Sequence, residues 1–192
     1  MKRICNFVLL FAGLGIAQAA MGFQPPGSDS QVIQASGTVE LAFTPGDQAD
    51  QIIIAAIRSA RKQVLAQVFS FTHKGIAQAL IDAHQRGVDV QLVSDQAQIE
   101  RMERSRIPML ARAGVPIFVD AAHDSAHNKI MIIDAPSAQA VVLTGSFNFT
   151  SAAQYRNAEN LLVFRGNPQL TLAYLDNWRL HRKHAQPFET NK

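Results

Sequence analysis

The run His127-Asn128-Lys129-Ile130-Met131-Ile132-Ile133-Asp134, followed by Gly145-Ser146-Phe147-Asn148, is the stretch whose reading decides the fold. His127 and Lys129 stand two apart at the start of a predicted strand, so their side chains share a face. Four consecutive apolar residues follow, so the strand runs into a buried sheet. An imidazole and an ammonium therefore sit side by side at the edge of a core. Charged residues also open strands merely to stay hydrated, so the pair alone does not specify chemistry. Gly145-Ser146-x-Asn148 follows a second apolar run, Val141-Val142-Leu143. A glycine there permits close backbone approach, and the hydroxyl and amide are groups that hydrogen-bond phosphate oxygens. Taken alone, this pattern is an ordinary strand-end turn.

Working outward, strands and helices alternate. Val39–Phe43 alternates like a half-buried strand, and Thr44-Pro45-Gly46-Asp47 is a turn able to cap a helix. Ile52, Ile53, Ala56, Ile57 and Ala60 recur at helical spacing. A strand over Gln63–Phe71 precedes a helix over Lys74–Gln85, ended by Arg86-Gly87, and Val88–Val93 is the next strand. Gln96–Arg112 reads as one charged helix stopped by Gly114, with Val115–Val119 a short strand. Beyond Lys129–Ile133 come strands over Ala140–Leu143 and Asn160–Phe164, then an amphipathic helix opened by Asn167-Pro168. This pattern predicts an α/β fold: a mixed, largely parallel sheet flanked by helices on both faces. No full-length internal repeat is visible.

The amino terminus reads differently. Lys2 and Arg3 precede an apolar run from Cys5 to Ile16, followed by Ala17-Gln18-Ala19. That is the pattern of a signal peptide over residues 1–20, too short for the ~20 apolar residues that span a bilayer. Residues 21–35, rich in Pro, Gly, Ser and Gln, read as a flexible leader, and 36–188 as a single domain. The expected location is periplasmic or secreted, with no stable membrane anchor after cleavage. Cys5 is the one cysteine, so cleavage leaves no thiol. Losing Lys2 and Arg3 takes Lys+Arg from 18 to 16 against 15 Asp+Glu. The pI of 9.3 therefore overstates how basic the working protein is, and any polyanion partner must be argued from local charge.

H-x-K-x4-D followed by G-S-x-N resembles the HKD signature of the phospholipase D superfamily. The likeness extends over most of residues 37–183, through Ser70-Phe71-Thr72, Ile76–Ile81, Arg86–Val90 and the carboxylate in Asn157-Ala158-Glu159-Asn160. It is nearest to the small secreted bacterial endonucleases with one motif per chain. Ten residues separate Asp134 from Gly145 where the usual motif has about six; Ala135–Gln139 looks like a lengthened hairpin that leaves the strand register intact. The resemblance implies a phospholipase D-like α-β-α sandwich and a phosphodiesterase that needs two histidines, one from each of two motifs. One attacks phosphorus and the other protonates the leaving oxygen. Lys129 and Asn148 would bind non-bridging oxygens, Ser146 would add a hydrogen bond, and Glu159 would fix the His127 tautomer. Asp134 differs in parity from Lys129 and reads as a structural residue. No cofactor and no metal enter this scheme.

One motif per chain implies a symmetric homodimer with two His127 side chains at a shared site. The expected substrate is nucleic acid, DNA or RNA. The alternatives are a lipid hydrolase acting on phosphatidyl esters and a non-catalytic nucleic-acid-binding module; retention of His127, Lys129, Ser146, Asn148 and Glu159 together argues against the latter. Lys74, Arg101, Arg104, Arg106 and Arg112 are candidates to track a phosphate backbone, although Glu100 and Glu103 are interleaved. His73 follows a strand end where α/β folds place ligands and is a substrate-groove candidate. Phe147 and Phe149 read either as core or as base-stacking platforms. His123 and Asp124 read as an exposed loop or a substrate contact. His181 and His184 read as a solvated positive helix end.

Overall fold

The computed structural model describes residues 30–189, so the signal-peptide reading and the leader up to residue 29 lie outside the described residues. Residues 30–36 carry no regular structure. The elements then run β1 (Thr38–Thr44), α1 (Ala49–Ser59), β2 (Gln63–Val68), α2 (Lys74–Gln85), β3 (Asp89–Asp95), α3 (Gln96–Arg101), α4 (Ile107–Arg112) and β4 (Ile117–Asp120). They continue with β5 (Lys129–Ile133), β6 (Val141–Gly145), α5 (Ser151–Tyr155), β7 (Glu159–Arg165), α6 (Pro168–His184) and β8 (Gln186–Pro187). No helix among the described residues is long and apolar enough to cross a membrane.

One sheet holds all eight strands, in the order β1-β7-β6-β5-β2-β3-β4-β8. Only β2–β3 and β3–β4 pair in parallel; the other five neighbouring pairs are antiparallel, which corrects the expectation of a largely parallel sheet. The reason is connection length. Helices α2, α3 and α4 carry the chain back across the sheet between β2, β3 and β4, as a parallel crossover requires. After β5 the links are a hairpin and one short helix, which turn the chain straight back on itself. The lengthened β5–β6 loop keeps register, with Met131 opposite Leu143 and Ile133 opposite Val141.

Alternation along the strands divides the core. Val64, Ala66, Val68, Met131 and Ile133 point toward α1 and α2, where Ile53, Ile57, Ile76 and Leu80 bury completely. Leu65, Val93, Ile130 and Ile132 point the other way, toward Leu175 and Trp178 of α6. Trp178 Nε1–H donates to the Ala66 carbonyl at 3.0 Å, anchoring the helix to β2. The single helix expected over 96–112 is two. Asp95 caps α3 by accepting from Gln98 N, and Pro108 starts α4, because a proline has no amide to give a helix interior. Between them, Arg106 N donates to the Phe71 carbonyl, drawing the loop to the end of β2.

Asp134 closes β5 in the left-handed region (φ 53°), and its carboxylate accepts from the amides of Arg61, Lys62 and Gln63 at 2.7–3.1 Å. It clamps the α1–β2 connection at the sheet edge opposite His127. Asp134→Ala removes a charged acceptor shared by three amides and puts alanine at positive φ. The expected cost is about 2–3 kcal/mol, or a Tm lowered by roughly 5–10 °C in a domain of this size. A thermal melt of the variant checks it.

Candidate active site

Strand direction brings the motif together. β5 runs antiparallel to β2, β6 to β5 and β7 to β6. The end of β2, the start of β5, the end of β6 and the start of β7 therefore share one sheet edge. That edge carries Phe69, Ser70, His127, Lys129, Ser146, Asn148 and Glu159.

Lys129 is the buried member, 8% exposed at the first position of β5. Its ammonium donates to the His127 carbonyl at 2.7 Å and to His127 Nδ1 at 3.0 Å, and lies 4.8 Å from the Phe69 ring centroid. Burial pulls its pKa down from the usual lysine value to about 8, against an opposing pull from the Glu159 carboxylate. His127 is exposed, and its ring packs against Phe69 with centroids 4.3 Å apart. An ammonium can only donate, so in this arrangement Nδ1 accepts and the proton of a neutral His127 ring sits on Nε2.

The other strand ends are held by backbone contacts. Gly145 lies at φ 143°, where a Cβ would collide with the Asn160 carbonyl, so only glycine lets β6 and β7 approach this closely. Ser146 Oγ accepts from Asn160 N at 3.0 Å, joining the end of β6 to the start of β7. Asn148 Oδ1 accepts from Ser70 N at 3.4 Å, so its carbonyl is spent on the protein and its NH2 is what it presents. Glu159 accepts from Asn157 Nδ2 at 3.0 Å within the protomer. No hydrogen bond joins Glu159 to His127 within the described residues. β6 lies between their strands, about 10 Å of sheet at ~4.8 Å per strand.

Several sequence-predicted residues lie elsewhere. His73 is not a groove residue. Its Nδ1 caps α2 by accepting from Ile76 N at 3.2 Å, and its Nε2 lies 3.2 Å from Asp50 Oδ2. Burial holds its pKa below the usual histidine value despite Asp50, which suits a neutral cap. Phe147 is 1% exposed and belongs to the core, not to a stacking platform, and Phe149 packs edge-on against Phe71 beside it. A residue alternating onto the inner face at a strand end is swallowed by the helices covering that face. His123 is exposed in the loop after β4 and His184 at the end of α6, as expected, but together with His181 they converge on the fully buried Asp120. Burial pushes the Asp120 pKa up, but bonds from the three histidines and the Ala122 amide outweigh it and hold the carboxyl well below the usual range.

Sequence reasoning missed Phe69, which backs both His127 and Lys129. It also missed Asp95, whose second oxygen accepts from Ala126 N at 2.8 Å and so fixes the residue before His127. Nothing in the linear spacing of either residue signals its role.

Comparison with known proteins agrees with this geometry. Residues 53–178 match the family model described as cardiolipin synthase, PLD-like domain. The chain is 34% identical to a phospholipase D of Rickettsia bellii, over 95% of this chain and 96% of that one. It is 31% identical to the mitochondrial cardiolipin hydrolase of Homo sapiens, over 62% of this chain and 45% of that one. The crystal structure of the phospholipase D family member Nuc from Salmonella typhimurium superposes with a TM-score of 0.73 at 31% identity, covering 81% of this chain and all of that one. An exposed imidazole backed by a buried lysine on a mixed sheet, with these relatives, leads to one assignment: the chain belongs to the phospholipase D superfamily of phosphodiester hydrolases.

Proposed function

We propose that the protein is an endonuclease, acting outside the cytoplasm on DNA or RNA at a site shared by two copies of the chain. The location rests on the signal-like residues 1–20. The observation that carries the nucleic-acid reading is the placement of its cations. Ser70 Oγ donates to Gln98 of α3 at 2.7 Å, and Arg106 Nε donates to the Thr72 carbonyl at 3.3 Å. These bonds hold α3 and the loop after it beside the catalytic edge, with Arg101 and Arg104 exposed on them and Lys74 exposed at the start of α2. Exposed cations beside a phosphodiester-cleaving centre, with Glu100 and Glu103 interleaved among them, suit a polyanionic chain. Arg112 ends α4, at the opposite end from the Arg106 contact.

The chemistry follows from the residue types. Phosphate arriving at the site draws the Lys129 ammonium from Nδ1 of His127. The ring proton then moves from Nε2 to Nδ1 by way of water, where the partner's Glu159 accepts its hydrogen bond, and Nε2 is left with a lone pair facing phosphorus. Nε2 attacks, an N–P bond forms, and the P–O bond to the leaving oxygen breaks while the partner's His127 protonates that oxygen. Water then attacks phosphorus, the N–P bond breaks, and the partner's His127 takes the water's proton. Lys129 and the NH2 of Asn148 meet the charge on the non-bridging oxygens. A single chain supplies one His127, so the second role falls to a second copy. The exposed apolar residues Val39, Leu41 and Phe43 on edge strand β1 are a face suited to being covered by it.

A second reading, hydrolysis of phosphatidyl esters, is favoured by the name of the Rickettsia bellii relative, which aligns over nearly its whole length. Incubating the protein with plasmid DNA, RNA and labelled phospholipid vesicles in excess EDTA separates the two. Cleavage of plasmid that persists in EDTA is the expected result. Turnover of lipid alone would favour the second reading, and activity lost in EDTA but restored by magnesium would overturn the histidine scheme.

A further inference from the structure

Away from the catalytic residues, on the same edge of the sheet, four metal-ligating side chains converge. Asp120 ends β4, His123 lies three residues on in the following loop, and His181 and His184 occupy one face of the last turn of α6. His181 Nδ1 is 2.8 Å and His184 Nε2 3.1 Å from Asp120 Oδ2, and His123 Nδ1 is 3.1 Å from Asp120 Oδ1. One ligand atom from each lies within 4.8 Å of every other. Donors ~2.0–2.1 Å from a tetrahedral zinc stand a little over 3 Å apart, so small side-chain adjustments suffice to admit the ion. Three imidazole rings with centroids 4.9–5.4 Å apart face a single carboxylate. All three imidazoles depend on the one carboxylate as their shared partner, and a dication at the centre of the four would bind each of them directly.

We propose that Asp120, His123, His181 and His184 form a zinc site that clamps the carboxyl end of α6 to the loop leading into His127. The donor set, three nitrogens and one oxygen, suits zinc and excludes calcium and magnesium, which demand six or more oxygen ligands or retained waters. The site has the second layer of contacts that such centres use. The Ala122 amide donates to Asp120 Oδ1 at 3.0 Å and fixes the carboxylate, and Arg182 is held away on the Phe118 ring. It lies three strands from Lys129, about 14 Å at ~4.8 Å per strand, so it is separate from the reacting atoms. Its role is to stabilise the fold, and the Asp95 contact that holds Ala126 remains without the ion, so cleavage in excess EDTA is expected to persist. The loop from Asp120 to Ala126 is pinned at one end by this cluster and at the other by Asp95, and His127 is the next residue. The proposal stands whichever phosphodiester the enzyme cleaves.

The test uses untagged protein, freed of metal by chelator and titrated with zinc by calorimetry and thermal melting. One zinc per chain is expected, with a Tm raised by roughly 5–10 °C when free zinc is about a hundredfold above Kd. His123→Ala and His184→Ala, both at partly exposed positions that leave the core untouched, should each weaken binding by roughly 100-fold or more, beyond the loss of a mere supporting contact. His127→Ala should bind as the parent does. Cobalt in place of zinc should give the visible absorption of a tetrahedral ion, and His184→Ala should abolish it. Parent protein that takes up zinc no better than the His123→Ala/His184→Ala double variant would overturn the proposal. So would zinc binding that disappears in His127→Ala and survives in His184→Ala.

Discussion

His127→Ala is expected to lower turnover by on the order of 10⁴-fold or more, because under the proposed scheme it removes the attacking nitrogen and the proton donor of a shared site together. The informative form of the experiment is mixing. When equal amounts of parent and variant exchange subunits, random pairing leaves about one quarter of dimers fully parental and about half with a single histidine. A dimer with one histidine lacks either nucleophile or acid. Activity per parental chain should therefore fall to about half. Unchanged activity per parental chain after exchange, or a fully active monomer, would mean that each chain carries a complete site. The exposure of His127 beside the buried Lys129 is the structural reason to expect sharing: one group is positioned from beneath, and the other faces outward where a second copy can meet it.

Lys129→Met should cost about 10²–10³-fold in kcat, the scale of losing one preorganised charge donor to the transition state, with the shape of the side chain largely kept. The same lysine sets a limit in pH. Its pKa, held at about 8 by burial and raised by Glu159, means that the ammonium is present below pH 8 and lost above it. The parent's kcat/KM, which reports the free enzyme, should fall as pH rises through about 8. Glu159→Gln removes the one charge that pulls this pKa upward, so the fall should begin at lower pH. It should also reduce turnover at the optimum by roughly tenfold or more, since the proposed scheme has Glu159 orient a His127 ring. A variant whose alkaline limb coincides with the parent's would show that Glu159 does not act on Lys129.

Parts of this molecule are local in origin and others are not. Helix α2 spans the expected residues because Arg86-Gly87 ends the run, and β5 begins where Lys129 meets four apolar residues. The break between α3 and α4 was also written locally, in Pro108, but charge patterning across 96–112 masks it. The helix α5 and strand β8 carry no such signal: five and two residues are too few to show a period, and they form because they pack beside β1 and pair with β4. His73 and Phe147 illustrate the same limit. Each stands next to a motif, and each turns inward because the space beside it is core.

What the sequence determined by itself is the chemistry available: an imidazole and an ammonium two apart on a strand, a glycine-serine-asparagine turn, and a carboxylate 32 positions after His127. Strand periodicity and residue type are short-range properties, so they survive in one dimension. Tertiary structure alone decided which of these groups meet. The antiparallel return of β5, β6 and β7 gathers four strand ends at one edge and leaves Asp134 at the other, although it belongs to the same motif. It also brings His181 and His184 to Asp120, 61 and 64 residues away along the chain. Contacts at such separations depend on the direction in which each strand crosses the sheet, and direction is set by packing and connection length, which no local window contains.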